Sequence, residues 1–208
     1  RFESYELYLK YDEFNYICRI YNLYNKIKSV PGHIIELGVG KGRNAILFSN
    51  FFKAYNHYTR TYFGFDTFKS YTPEDFKKHK HLNKNRWADN SLEYVKNRID
   101  RLGFSSCVNF IEGDIRITLP KFLENSESKY HSKGNLQLAL VYIDTSTYDA
   151  AYLGLEELSK KMMPGGIISI DQKTQGAEWE AMKDFAQKKN LKIELDESPF
   201  TPPAIIKF

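Results

Sequence analysis

The sequence predicts an α/β protein built on one doubly wound, mainly parallel sheet, and three observations carry that prediction. From residue 31 onward, strand-like apolar runs alternate with stretches of helical apolar spacing, the pattern of repeated βαβ units. Residues 136–143 form an almost continuous apolar run, as expected of a strand buried on both faces. The two last runs, 192–195 and 204–208, have no helix between them, so they should pair antiparallel. A length of 208 residues suits one domain with a sizeable core, and neither an internal repeat nor a linker to a second domain is visible.

Residues 1–30 place Leu7, Tyr11, Ile20, Leu23, Tyr24 and Ile27 at mixed helical spacing and stop at Pro31 and Gly32. They read as an N-terminal helical unit of one or two amphipathic helices, packed beside the main domain of residues 31–208 or covering its ligand cleft. A strand follows with Ile34, Ile35 and Leu37, then a glycine turn and a helix over 44–55. Residues 61–65 are a second strand, ending at Asp66. Residues 67–90 lose periodicity and carry the basic run 77–86; a connection this long is functional or mobile. His79 and His81, set among lysines, read as part of a solvated basic face rather than as metal ligands. Ser91 reads as the N-cap of a helix with Leu92, Val95, Ile99 and Leu102 on one face and Gly103 as its stop. Residues 108–111 are a strand followed by Glu112, Gly113 and Asp114; 118–123 a short helix; 124–135 a polar loop. The buried strand ends at Asp144, a helix spans 148–162, Pro164-Gly165-Gly166 turn the chain into a strand at 167–170, and Asp171 follows. Residues 177–189 are helical, and the tail forms two strands joined across Pro199, Pro202 and Pro203.

Composition excludes several classes. A net charge of +4 is too mild to imply nucleic acid. Cys18 and Cys107 give no disulfide framework and fit a reducing, cytoplasmic setting. No apolar run reaches the length of about 18 residues that a membrane span needs, and no signal peptide opens the chain.

The chemistry concentrates at HIIELGVGKGR, residues 33–43, where Gly38, Gly40 and Gly42 stand two apart after Glu36. Alternate glycines let a backbone turn sharply against a ligand, although a tight βα connection has the same pattern. A dinucleotide fingerprint needs its third glycine where Arg43 stands, which argues against NAD. Acidic residues fall at or near the ends of the first five expected strands: Glu36, Asp66, Asp114, Asp144 and Asp171. Parallel strands bring those ends to one edge, and so much negative charge asks for cationic and hydrogen-bond-donating partners. S-adenosylmethionine (SAM) offers a sulfonium, an ammonium, two ribose hydroxyls and an amine.

With those residues in view, the chain resembles class I SAM-dependent methyltransferases, and within them the macrocin and deoxysugar O-methyltransferase group, which have a Rossmann-like methyltransferase sheet. The resemblance rests on PGHIIELGVGKG, FGFDTF, NSLEYVKNRIDRLG, VNFIEGDIRITLP, LVYIDTSTYDAAYLGLEEL and PGGIISIDQ. It implies that Glu36, Gly38 and Gly40 border the methionine part of SAM, that Asp66 takes the ribose hydroxyls, and that Asp114 with Ile115 reads the adenine. Ser91, beside Asn90, is an extra cofactor contact or only a cap. Relatives carry Asp-x-Asp after the fourth strand and paired acids after the fifth, holding Mg2+ and supplying a base. Here these read Asp144-Thr145-Ser146 and Asp171-Gln172, leaving Asp144 and Asp171 as the metal candidates and no assigned catalytic base.

The expected activity is O-methylation of a small-molecule acceptor in sugar, glycan or secondary-metabolite biosynthesis. A sugar hydroxyl needs help to lose its proton. The altered motif therefore also allows an anionic or amine acceptor without a metal, and the basic run 77–86 suits an anionic one. A non-catalytic SAM-binding protein is the remaining alternative. Tyr148 and Trp179 are candidates for the acceptor wall or for packing. No membrane or nucleic-acid partner is expected, and the resemblance points to a possible homodimer.

Overall fold

Ile34 and Ile35 are adjacent and fully buried, yet they belong to different hydrophobic clusters. Successive side chains of a strand point to opposite faces, so both faces of this sheet must be covered. The computed structural model describes residues 10–80, 82–125, 136–171, 175–195 and 204–208. Leu7, His81, Gln172, Pro199, Pro202, Pro203 and most of the expected 124–135 loop lie outside the described residues.

The strands are β1 His33–Leu37, β2 Tyr62–Asp66, β3 Val108–Glu112, β4 Leu138–Ile143, β5 Met162–Ile170 and β6 Ala204–Lys207. Their order is β3-β2-β1-β4-β5-β6; the first five run parallel and β6 is antiparallel to β5. Every residue of β4 is buried, which accounts for its unbroken apolar run. The helices are α1 Tyr11–Ile27, α2 Arg43–Ala54, α3 Pro73–Lys78, α4 Leu92–Arg101, α5 Ile115–Asn125, α6 Tyr148–Leu158 and α7 Ala177–Lys189. Ile34, Tyr62, Leu140 and Ile167 pack with α1, α2 and Ile99 of α4. Ile35, Phe63, Val141 and Ile168 pack with Leu119, Leu155 and Phe185 of α5, α6 and α7.

Helix α1 is built into the core. Ile20, Leu23, Tyr24 and Ile27 are buried on one stripe, each side chain stabilising by roughly 1.5–3 kcal/mol. Its last carbonyls lack helical partners. Arg60 meets this end, donating to the carbonyls of Ile27, of the cap residue Lys28 and of Val30 just beyond the helix at 3.4, 3.3 and 2.5 Å.

Some local expectations are corrected. Residues 67–90 contain α3, capped reciprocally: Thr72 Oγ1 accepts from the Asp75 N–H at 3.2 Å and Asp75 Oδ2 accepts from the Thr72 N–H at 3.0 Å. Pro73 opens the helix, where its missing N–H costs nothing. Six residues are too few for an apolar period to show. The helix expected to reach Met162 ends at Leu158, followed by a 3₁₀ turn, Ser159–Lys161. Strand β5 then begins at Met162, so Pro164 lies within it, where the pairing with β4 shifts register and tolerates the lost donor. Helix α5 extends beyond 118–123 at both ends, and 192–195 forms only a bridge from Glu194 to Ile205.

Candidate functional site

The sheet order reverses between β1 and β4, and parallel α/β sheets bind ligands at such a point, outside the carboxyl ends of the strands. A cleft of about 530 Å³ lies there, walled by Glu36, Gly38, Gly40, Asp66, Asp114, Ile115 and Asp144 among others. Asp171 and Ser91 are not part of that wall. The Ser91 hydroxyl instead accepts from the Tyr94 N–H at 3.1 Å, as the cap of α4. Asn90 reaches the turn in its place, donating from Nδ2 to the Gly40 carbonyl at 2.8 Å.

The glycine turn is held from β2. Asp66 Oδ2 accepts from the Val39 and Gly40 N–H groups, each at 2.8 Å, and Oδ1 accepts from the Phe68 N–H at 2.7 Å. Burial raises the Asp66 pKa, and these backbone donors oppose the rise. Gly38, at φ 91°, passes so close to β4 that a Cβ would lie 2.0 Å from the Asp144 carbonyl oxygen. Gly40, at φ 54°, faces the ring of Trp87, another wall residue.

Behind the turn, Glu36 accepts from the Tyr62 hydroxyl and, at 2.6 Å, from Asn44 Nδ2. Burial pushes its pKa up to about 8, despite both hydrogen bonds. Tyr16 of α1 joins this network, donating to Asn44 Oδ1 at 2.8 Å while the Arg43 guanidinium lies 3.2 Å from its ring centroid.

At the far wall, Arg116 grips Asp114: Nε donates to Oδ1 at 2.9 Å and Nη2 to Oδ2 at 2.7 Å. Burial would raise the Asp114 pKa, but these contacts outweigh it and hold the carboxyl below its usual value. Arg116 also reaches Thr72 Oγ1 at 3.0 Å and Asp75 at 3.1 Å, tying α3 to the Asp114 side of the cleft.

The turn after β4 brings Asp144, Thr145, Ser146 and Thr147 to the wall, with Ser146 in the left-handed region at φ 58°. Glu178, buried in the first turn of α7, fixes that turn by accepting from the Ser146 N–H at 2.6 Å. Burial and then Asp144 raise its pKa to about 8. Burial and then Asp171 raise that of Asp144 to about 7. Asp171 Oδ1 accepts from Arg19 Nη2 and from the Tyr142 hydroxyl, both at 2.7 Å. Tyr148 and Trp179 are not wall residues: the Tyr148 hydroxyl donates to Asp184 at 2.8 Å, and Trp179 packs on the core.

Sequence reasoning missed Tyr16, Arg19, Trp87, Arg116 and Glu178. Arg116, two residues after Asp114, carried a local signal. Glu178 looked like an ordinary acid at a helix start, and Arg19 had only the oddity of a cation on an apolar face.

Residues 19–200 match the family of macrocin O-methyltransferases (TylF). The chain belongs to this family. A Streptomyces olivaceus protein described as 8-demethyl-8-(2,3-dimethoxy-alpha-L-rhamnosyl)-tetracenomycin-C 4'-O-methyltransferase is 25% identical over 179 residues, or 81% of this chain and 63% of that protein. The mycinamicin III 3''-O-methyltransferase of Micromonospora griseorubida is 25% identical over 193 residues, or 86% of this chain and 72% of that protein. The chain thus spans a little under two thirds of the first of these relatives. In fold it is similar to the crystal structure of CalS11, a calicheamicin methyltransferase, with a TM-score of 0.80 at 23% identity over 99% of this chain and 83% of that one.

In this member of the macrocin O-methyltransferase family, the described residues do not fit a resident divalent cation. Hard cations need several oxygen ligands. Ser146 stands where a second carboxylate would, Asp171 is paired with Arg19, and the described residues hold no group of three His, Cys, Asp or Glu side chains able to bind a metal.

Proposed function

We propose that the chain is a SAM-dependent methyltransferase that transfers a methyl group to a hydroxyl of a small, sugar-like acceptor. The observation that carries this reading is the Asp66-braced glycine turn, opening onto a cleft that also presents Asp114 and Asp144. The donor set fits SAM: Glu36, Gly38 and Gly40 border its methionine end, Asp66 the ribose, and Asp114 with Ile115 the adenine. When bound, SAM supplies a methyl group on a sulfonium, so the acceptor oxygen forms the new C–O bond as the C–S electron pair returns to sulfur. Asp144, at the wall beside the turn, is the carboxylate that takes the hydroxyl proton. The rest is positioning and exclusion of water, to which Trp87, Arg86 and Tyr16 contribute as parts of the cleft wall.

A second reading, an anionic acceptor, is favoured by Lys69 and Arg86, which also line the cleft. A sugar carrying phosphoryl groups unites both.

Calorimetry with S-adenosylhomocysteine (SAH), SAM and NAD tests the cofactor, and transfer of labelled methyl to neutral and phosphorylated deoxysugars tests the acceptor. SAH binding without transfer to any acceptor would favour a non-catalytic SAM-binding protein. NAD binding without SAH binding would sink the proposal.

A further inference from the structure

We propose that the guanidinium of Arg19 is the fixed counter-cation of the acceptor side of this cleft, and that methyl transfer here runs without a divalent metal ion. The inference rests on the methyltransferase reading and deepens it.

Asp144 and Asp171 follow Ile143 and Ile170, which are paired in β4 and β5, so the two residues are neighbours, and their carboxylates act on one another electrostatically. Like charges so placed repel unless a cation lies between or beside them. A metal is one answer, but a guanidinium already meets Asp171 at 2.7 Å, and Tyr142 donates to the same oxygen. Arg19 also offsets the charge of Asp144, together with Arg86 and Arg43.

Its position is fixed by packing. Arg19 lies next to Ile20, fully buried in α1, and its guanidinium lies 4.7 Å from the Tyr16 ring centroid. A planar group held this way keeps one geometry and carries its charge at any working pH. The substitution of Ser146 for a carboxylate then follows: with a permanent internal cation, a further ligand would add only repulsion. In the transfer itself, the acceptor's O–H bond breaks with its proton passing to Asp144, the O–CH3 bond forms, and the sulfur keeps the C–S pair. Arg19 is a positioning residue in this scheme, holding Asp171 and balancing Asp144.

The test uses the whole chain. SAH binding is measured first by calorimetry; its absence would refute the methyltransferase reading itself. The SAH complex is then titrated with Mn2+ and followed by electron paramagnetic resonance. The wild type is expected to bind no stoichiometric Mn2+, and methyl transfer to survive dialysis against EDTA. Arg19→Ala is expected to gain a Mn2+ site, weakened about tenfold or more by adding Asp171→Asn. A Mn2+ ion on the wild type that Asp171→Asn removes, or activity lost to EDTA and restored by Mg2+, overturns the proposal while leaving SAH binding intact. If Arg19→Ala folds but gains no site, the role given to Arg19 is wrong. If it does not fold, Arg19→Lys replaces it, expected to stay metal-free with SAH affinity kept and kcat lowered; a metal requirement in that variant would refute the idea.

Discussion

Glu178 Oε1 accepts the backbone N–H of Ser146 at 2.6 Å, so the first turn of α7 holds the left-handed corner that follows β4. Removing that acceptor leaves a half-buried donor without its protein partner, at a cost of about 1–3 kcal/mol. Glu178→Ala is therefore expected to lower the melting temperature by roughly 2–12 °C in a thermal scan. Glu178→Gln keeps a carbonyl for Ser146 and is expected to stay within about 1 kcal/mol of the wild type. Equal losses in both variants would show that the buried acid acts through charge, not through this bond.

Glu36 makes stability depend on pH. Its pKa is about 8 in the folded chain against 4.5 in an unfolded one, so between these values the folded state holds a proton that the unfolded state releases. Stability is then greatest below the lower value and falls as pH rises through the window. The urea midpoint should drop across that range, and Glu36→Gln should flatten the slope. A midpoint that rises with pH in the wild type and not in the variant would contradict the assignment.

Asp66→Ala removes the acceptor for three backbone N–H groups, and the glycine turn that lines the cleft should lose its shape. SAH affinity is expected to fall by about tenfold or more. Ser91→Ala is the contrast: losing the cap of α4 should cost about 1 kcal/mol of stability and leave SAH affinity unchanged. Calorimetry on both variants decides which of the two faces the ligand.

Gly38→Ala puts a methyl group into the Asp144 carbonyl and strains a positive φ, with an expected cost of about 3 kcal/mol or more. Gly40→Ala meets only the edge of the Trp87 ring, at 3.3 Å, and should be milder. Chemical denaturation that ranks Gly40→Ala as the worse variant would contradict the close approach of Gly38 to the Asp144 carbonyl.

The sheet was legible because its central strands announce themselves by burial: the unbroken apolar run in β4 and the adjacent Ile34 and Ile35 of β1 belong to strands covered on both faces. The cleft was legible for the same reason, since parallel strands collect their ends, and Glu36, Asp66, Asp114 and Asp144 do line it. What stayed hidden depends on distance across the fold. Arg19 and Asp171 are separated by 152 positions and meet only because α1 packs against the sheet. Helix α3 is specified by a cap rather than a period, and the register shift within β5 depends on the pairing of Leu138 with Met162, which no local pattern encodes.

Arg60 fastens the end of α1 through the carbonyls of Ile27, Lys28 and Val30, and the same helix delivers Tyr16 to the cleft wall and Arg19 to Asp171 behind it. Docking of α1 and completion of the site are therefore a single equilibrium. Any molecule bound against Tyr16 also slows the opening of α1, and looseness in the helix is felt as weaker affinity at the cleft. Amide exchange along Tyr11–Ile27 thus reports on occupancy of a site that lies mostly on other parts of the chain.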